Sequence, residues 1–222
     1  MGLIYVFWTG ENPMIPERRD NLANLEQVSE CEVVLVTIWN LDEYILPEHP
    51  LHAAYEYLSE THKADYLRTY FMHFYGGGYS DIKGTTGSWR QAFNEFEHSD
   101  AWICGYKEIA GGTSDELKEK WNELIGNGAY ICKPGTPLTE KWYSELNQIL
   151  DSKLEQLILH PARSRADRAG SGSGYPVGWN EILGQIFHRL CYVYKDKLMR
   201  TLPFPRIWII DTEKGLMKLL HA

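Results

Sequence analysis

The residues best suited to chemistry fall in one stretch, Lys63-Ala64-Asp65-Tyr66-Leu67-Arg68, followed by Tyr75-Gly76-Gly77-Gly78-Tyr79-Ser80-Asp81-Ile82-Lys83. Asp65 and Arg68 are three apart, which on a helix makes them neighbours on one face. That face lies beside the apolar stripe, so the plain reading is a surface ion pair and the functional one is a pair turned toward a ligand. Asp81 ends a short apolar strand, and open α/β sheets bind ligands outside the carboxyl ends of their strands. A carboxylate there can hold a divalent cation, and such a cation can neutralise a diphosphate leaving group. No HExxH, CxxC, GxSxG or Walker A pattern is present, and Gly76-Gly77-Gly78 lacks the spacing and the following helix of a dinucleotide fingerprint.

The pattern around this stretch predicts what must position it. Leu3–Trp8 is a brief apolar run closed by Thr9-Gly10, hence a buried strand, and Pro16 opens a helix containing Leu22, Leu25 and Val28. Cys31–Trp39, dense in Val and Ile, is a second strand, and a β-α-β opening implies parallel pairing. Apolar residues at helical spacing from Ala53 to Tyr75 predict a helix that stops at the three glycines, with a short strand Tyr79–Ile82 leaving the cap. Strands over Ala101–Tyr106 and Ala129–Cys132, and helices over Ser114–Leu124, Leu138–Leu150 and Trp179–Leu190, complete an alternation that predicts an α/β domain with a mainly parallel sheet.

With 222 residues and 44% apolar content the chain suffices for one domain, 1–222. A Gly-Ser-rich loop near 163–174 is either a surface loop or a mobile lid whose Arg163, Arg165 and Arg168 meet an anion. A net charge of −8 gives no basic footprint for nucleic acid. No apolar run is long enough for a membrane span, no basic leader precedes the first strand, and the scattered cysteines read as reduced, so the expected setting is the cytoplasm.

Together, Ala64-Asp65-Tyr66-Leu67-Arg68, Tyr75-Gly76-Gly77-Gly78-Tyr79 and Asp81 resemble the signature of sugar transferases that carry a helical (S/A)-D-x-x-R, a Y-G-G turn and a strand ending in D-x-D. These are the family 32 mannosyl- and galactosyl-type transferases, the capsular-polysaccharide transferases and, more distantly, the clostridial glucosylating toxins. Trp8-Thr9-Gly10-Glu11-Asn12-Pro13 is similar to their first turn, Asn127–Gly135 to their N-x-x-I-x-x-K/R-P-G segment, and Gly178-Trp179-Asn180-Glu181 to a late helix start.

The resemblance implies a single GT-A-like domain, with the nucleotide-sugar-binding part in 1–100 and the acceptor side in 101–222, that moves a sugar from a UDP- or GDP-sugar donor to a glycan or glycoprotein hydroxyl, with retention and with Mn2+ or Mg2+ as cofactor. It implies that Trp8, Thr9, Gly10 and Asn127 line the donor site and that the base stacks near Trp8 or Trp39. Asp65 would accept hydrogen bonds from ribose or sugar hydroxyls, Arg68 would orient Asp81, Tyr79 would lie beneath the sugar and Asp81 would ligate the metal. Glu181 is the candidate acceptor-side base or, more plainly, a helix N-terminal charge. Lys83 stands where those families have their second aspartate, so it is expected to point away from the metal or toward phosphate oxygens. The reading from another class is a non-catalytic nucleotide- or glycan-binding module on the same fold.

Overall fold

A computed structural model of the chain describes residues 2–113 and 115–206. The first strand, β1 (Leu3–Trp8), is buried on both faces because its side chains alternate between two apolar layers. Tyr5 and Phe7 point into one layer, and Ile4 and Val6 into the other. Helix α1 (Pro16–Val28) returns the chain to β2 (Glu32–Thr37), which pairs with β1 in parallel as the β-α-β opening requires.

The helix expected from Ala53 is shorter. Tyr55–Tyr57 forms a separate 3-10 turn, Leu58 and Ser59 are extended, and α2 runs over Glu60–Phe74 with the Ser59 side chain capping His62 N–H. Gly76 and Gly77 adopt φ of 66° and 78°, which a side chain disfavours, and this reversal sends the chain into β3 (Gly77–Ser80). Next come α3 (Arg90–Glu97), β4 (Ile103–Lys107) and β5 (Ile125–Cys132). The segment before β5 is a 3-10 stretch, Asp115–Glu123, and not an α-helix; none of its side chains is fully buried and Leu117 alone packs against the core, too little for an apolar stripe.

The sheet order is β2-β1-β3-β5-β4-β6, with β6 over Leu198–Met199. Among the named strands every pairing is parallel except those of β5, which lies reversed between β3 and β4. The sheet is thus mainly parallel, and its strands come from both halves of the chain.

Helices α1 and α3 cover one face, with Leu25, Ala92 and Phe96 on Ile4, Val6 and Ile131. The other face is covered by α2, α4 (Pro137–Leu159) and α5 (Gly184–Val193), through Phe71, Trp142, Leu146 and Phe187. Helix α4 outlasts the expected end at Leu150 because Leu157 still finds the core and no breaker comes before Pro161. Helix α5 starts five residues late, since Gly178–Leu183 is spent in turns closed by Glu181 N–H to Gly178 C=O and Leu183 N–H to Asn180 C=O. All four cysteines are buried and unpaired. No helix among the described residues is long and apolar enough to cross a membrane.

Candidate active site

The carboxyl ends of β1, β2 and β3 share one edge of the sheet, and the sequence-selected residues gather along it. Helix α2 brings Asp65 and Arg68 there one turn apart, while β3 delivers Tyr79 and, just past its end, Asp81. The pair is no surface ion pair: Asp65 is 3% exposed and Arg68 6%. Sheet and α4 enclose α2, and the 163–177 segment covers its first turn through Thr61 N–H to Arg165 C=O and Tyr175 Oη at Ser59 N–H.

Arg68 is the hub. Its Nη2 lies 3.1 Å from Asp65 Oδ1 and 3.2 Å from Asp81 Oδ1, and its Nη1 donates to the Asn127 carbonyl at 2.9 Å. The guanidinium sits 4.4 Å from the Tyr79 ring centroid, and that ring stacks on Phe7 of β1. Tyr79 Oη donates to Asp81 Oδ1, and Lys83 Nζ reaches Asp81 Oδ2 at 2.8 Å. Lys83 therefore neither points away nor stands apart from the carboxylate. A tight turn at Ile82, closed by Lys83 N–H to Asp81 C=O at 2.7 Å, folds its side chain back onto it.

Burial and charge set the protonation states. Burial pushes the Asp65 carboxyl up to about 7, with Arg68 opposing and Asp81 reinforcing the shift. Burial also acts to raise Asp81, but Lys83 and Arg68 together with the Tyr79 hydroxyl outweigh it and hold that carboxyl well below its ordinary range. The cluster has one firm anion, one carboxyl poised near neutrality and two cations.

This donor set does not fit a divalent cation. Asp81 is the carboxylate at the strand end, and both its oxygens are engaged by cationic groups. Among the described residues no three His, Cys, Asp or Glu side chains are grouped to hold a metal. An ion on Oδ2, with the ammonium about 4 Å away, would meet a repulsion on the order of 8 kcal/mol at an effective dielectric of about 20.

The remaining expected residues divide. Trp8, Thr9 and Gly10 lie at the end of β1, next to β3, with Thr9 Oγ1 bonded to the Glu60 carbonyl and Trp8 Nε1 to the Asn12 carbonyl. Trp39, beyond β2, is 83% exposed and presents an open indole face. Asn127, expected to line the donor site, meets the cluster through its backbone carbonyl. Glu181 is neither a helix N-terminal charge nor a member of the cluster. Its carboxylate takes Gly178 N–H at 2.7 Å and Lys153 Nζ at 3.1 Å, closing the turn ahead of α5.

Three contributors to this edge were not anticipated. A Cβ on Gly128 would lie 3.3 Å from Asp81 Oδ2 and from Tyr106 Oη, and one on Gly126 would strike the Tyr106 ring at 2.0 Å. Of the two glycines flanking Asn127, Gly128 therefore lets β5 pass close to Asp81 and Gly126 makes room for the Tyr106 ring, and their alternate spacing was the available signal. Glu108, just past β4, pairs with His188 of α5 at 3.1 Å with both side chains buried; no spacing in the chain announces that pair. A groove of about 990 Å³ beside Phe93 and Phe96 of α3 lies at the opposite ends of the strands and holds none of these residues.

No protein-family model matches the chain, and no curated protein sequence does. Solved structures do match. One is PaToxG Glycosyltransferase, similar over 87% of this chain and 69% of that one, with a TM-score of 0.50 and 10% sequence identity. The mixed α/β sheet flanked by helices is thus a GT-A-like glycosyltransferase fold.

Proposed function

We propose that the chain is a glycosyltransferase acting on a nucleoside-diphosphate sugar, with its donor laid along the carboxyl ends of β2, β1 and β3. The observation that carries this reading is the Asp65–Arg68–Asp81 cluster with Tyr79, assembled at the sheet edge where α/β folds bind ligands. The fold it shares with PaToxG Glycosyltransferase supports it.

In this reading the base stacks on Trp39 and meets Trp8, while Thr9 and Gly10 border the ribose and first phosphate. Asp65, its carboxyl pushed up to about 7 by burial, exchanges hydrogen bonds with sugar hydroxyls. Arg68 keeps Asp81 and the Asn127 carbonyl in place. The bond between the anomeric carbon and the β-phosphate oxygen breaks and its electron pair leaves with the diphosphate. An acceptor hydroxyl of a glycan or glycoprotein forms the new bond on the same face, and its proton passes to the departing phosphate oxygen. Glu181 lies outside this scheme, because its carboxylate is engaged by Lys153 and Gly178.

A second reading, a nucleotide-binding module without turnover, is favoured by the closure of Asp81 between two cations. Thermal shift against a panel of nucleoside diphosphates and their sugars tests the ligand class. A ligand at 100 times its dissociation constant adds about 2.7 kcal/mol of stability. No shift with any member of the panel would remove both readings.

A further inference from the structure

We infer that the positive charge that meets the donor diphosphate is built into the chain as Lys83, so that donor binding requires no divalent cation. The inference rests on the donor site proposed above. Two carboxylates and a divalent cation sum to zero charge, and so do Asp81 and the Lys83 ammonium at 2.8 Å. One substitution thus reproduces the charge balance of a metal-loaded pair without the metal.

Geometry agrees with the charge count. Arg68 and the Tyr79 hydroxyl occupy Asp81 Oδ1 from below, and Lys83 occupies Oδ2. The Lys83 and Asp81 side chains are the exposed lip of the cluster, at 23% and 21%, against 8% and 4% for Arg68 and Asp65. An incoming phosphate therefore reaches Lys83 before either buried partner. An ammonium carries three donors, so it can bond a carboxylate and a phosphate oxygen together. The turn at Ile82, whose carbonyl is held by Arg18 Nη1 at 2.8 Å, fixes the backbone from which it reaches.

The test is calorimetry of UDP and GDP binding to the whole chain, in EDTA and in Mn2+, beside spin-resonance titration of Mn2+ alone. Wild type is expected to bind one of the two nucleotides with affinities within about twofold in either medium and to bind no Mn2+ by itself. Lys83→Ala should lose roughly tenfold or more of that affinity, the range of one charged hydrogen bond, while Lys83→Arg keeps most of it. Lys83→Asp should acquire Mn2+ binding and hold the nucleotide only when Mn2+ is present. Thermal melts establish that each variant is folded. Wild-type binding that needs Mn2+, or unchanged affinity in Lys83→Ala, overturns the inference while leaving the donor site standing. Absence of nucleotide binding in every medium removes the donor site and the inference with it.

Discussion

Arg68 Nη2 lies 3.2 Å from Asp81 Oδ1 and 3.1 Å from Asp65 Oδ1, so one guanidinium from α2 holds the carboxylate beyond β3 and the carboxyl one turn back on its own helix. The same group fixes the β5 backbone at Asn127. Three elements are joined through one residue that is only 6% exposed.

Arg68→Ala is therefore expected to be a folding defect as much as an activity defect. Removing one partner of a buried charge cluster leaves the others uncompensated, at a cost of roughly 3–5 kcal/mol. Arg68→Lys should recover little, because a single ammonium cannot span three acceptors in the fork geometry. Denaturant midpoints read both, and a loss below about 1 kcal/mol would show that the cluster is not a structural hub.

Asp65 makes stability depend on pH in a defined direction. Its folded pKa, near 7, is above the ordinary 3.8, so between about pH 4 and 7 the folded state keeps a proton that the unfolded chain has lost. Stability from this group is full below about 4 and is lost as pH rises through 7. Asp65→Asn mimics the protonated form and lacks that dependence. The stability of wild type relative to Asp65→Asn should fall between pH 5 and pH 8; parallel profiles would show that Asp65 titrates normally.

Trp39 separates binding from folding. At 83% exposure its replacement by Ala should change stability by no more than about 0.5 kcal/mol. Nucleotide affinity should fall by the ~1–3 kcal/mol that base stacking on an aromatic ring supplies. Equal affinity in calorimetry would move the base off this indole.

The Gly-Ser stretch is more organised than its composition implies. Gly170, Gly172 and Gly174 take φ near 84°, 87° and 86°, turning the hydroxyls of Ser171 and Ser173 onto Asp167, which also accepts Arg163 and Arg168 N–H. Asp167→Ala should accelerate hydrogen exchange across 163–174 in the absence of donor. Unchanged exchange would show that the carboxylate does not organise the loop. Donor-dependent protection of the wild-type loop separately tests the lid reading.

How far the sequence was legible follows from which interactions are local. The span of β1, the start of α1 and the end of α2 were readable because the first apolar run, Pro16, Gly76 and Gly77 act within a turn of themselves. The grouping of Asp65, Arg68, Tyr79 and Asp81 was readable because helix, reversal and strand lie within about twenty residues. Burial of the first two was not, since the cover over α2 comes from β5, α4 and, at its first turn, the 163–177 segment, all far along the chain. Nor was the Lys83 pairing, which depends on a single tight turn, or the tie of Glu181 to Lys153, which joins α4 to a loop.

Turnover of a nucleotide sugar at Asp81 is what separates a transferase from a binding module on this fold. The most direct measurement is release of UDP or GDP from the matching sugar donor in water, without acceptor, by wild type and by folded Asp81→Asn. Slow hydrolysis of at least one donor is expected, with a loss of roughly 100-fold or more in the variant, whose neutral amide no longer holds Lys83 and Arg68 as charge pairs beside the diphosphate; removing one preorganised electrostatic group costs on that scale. Nucleotide binding without any hydrolysis, or equal rates in the two proteins, would contradict turnover at Asp81.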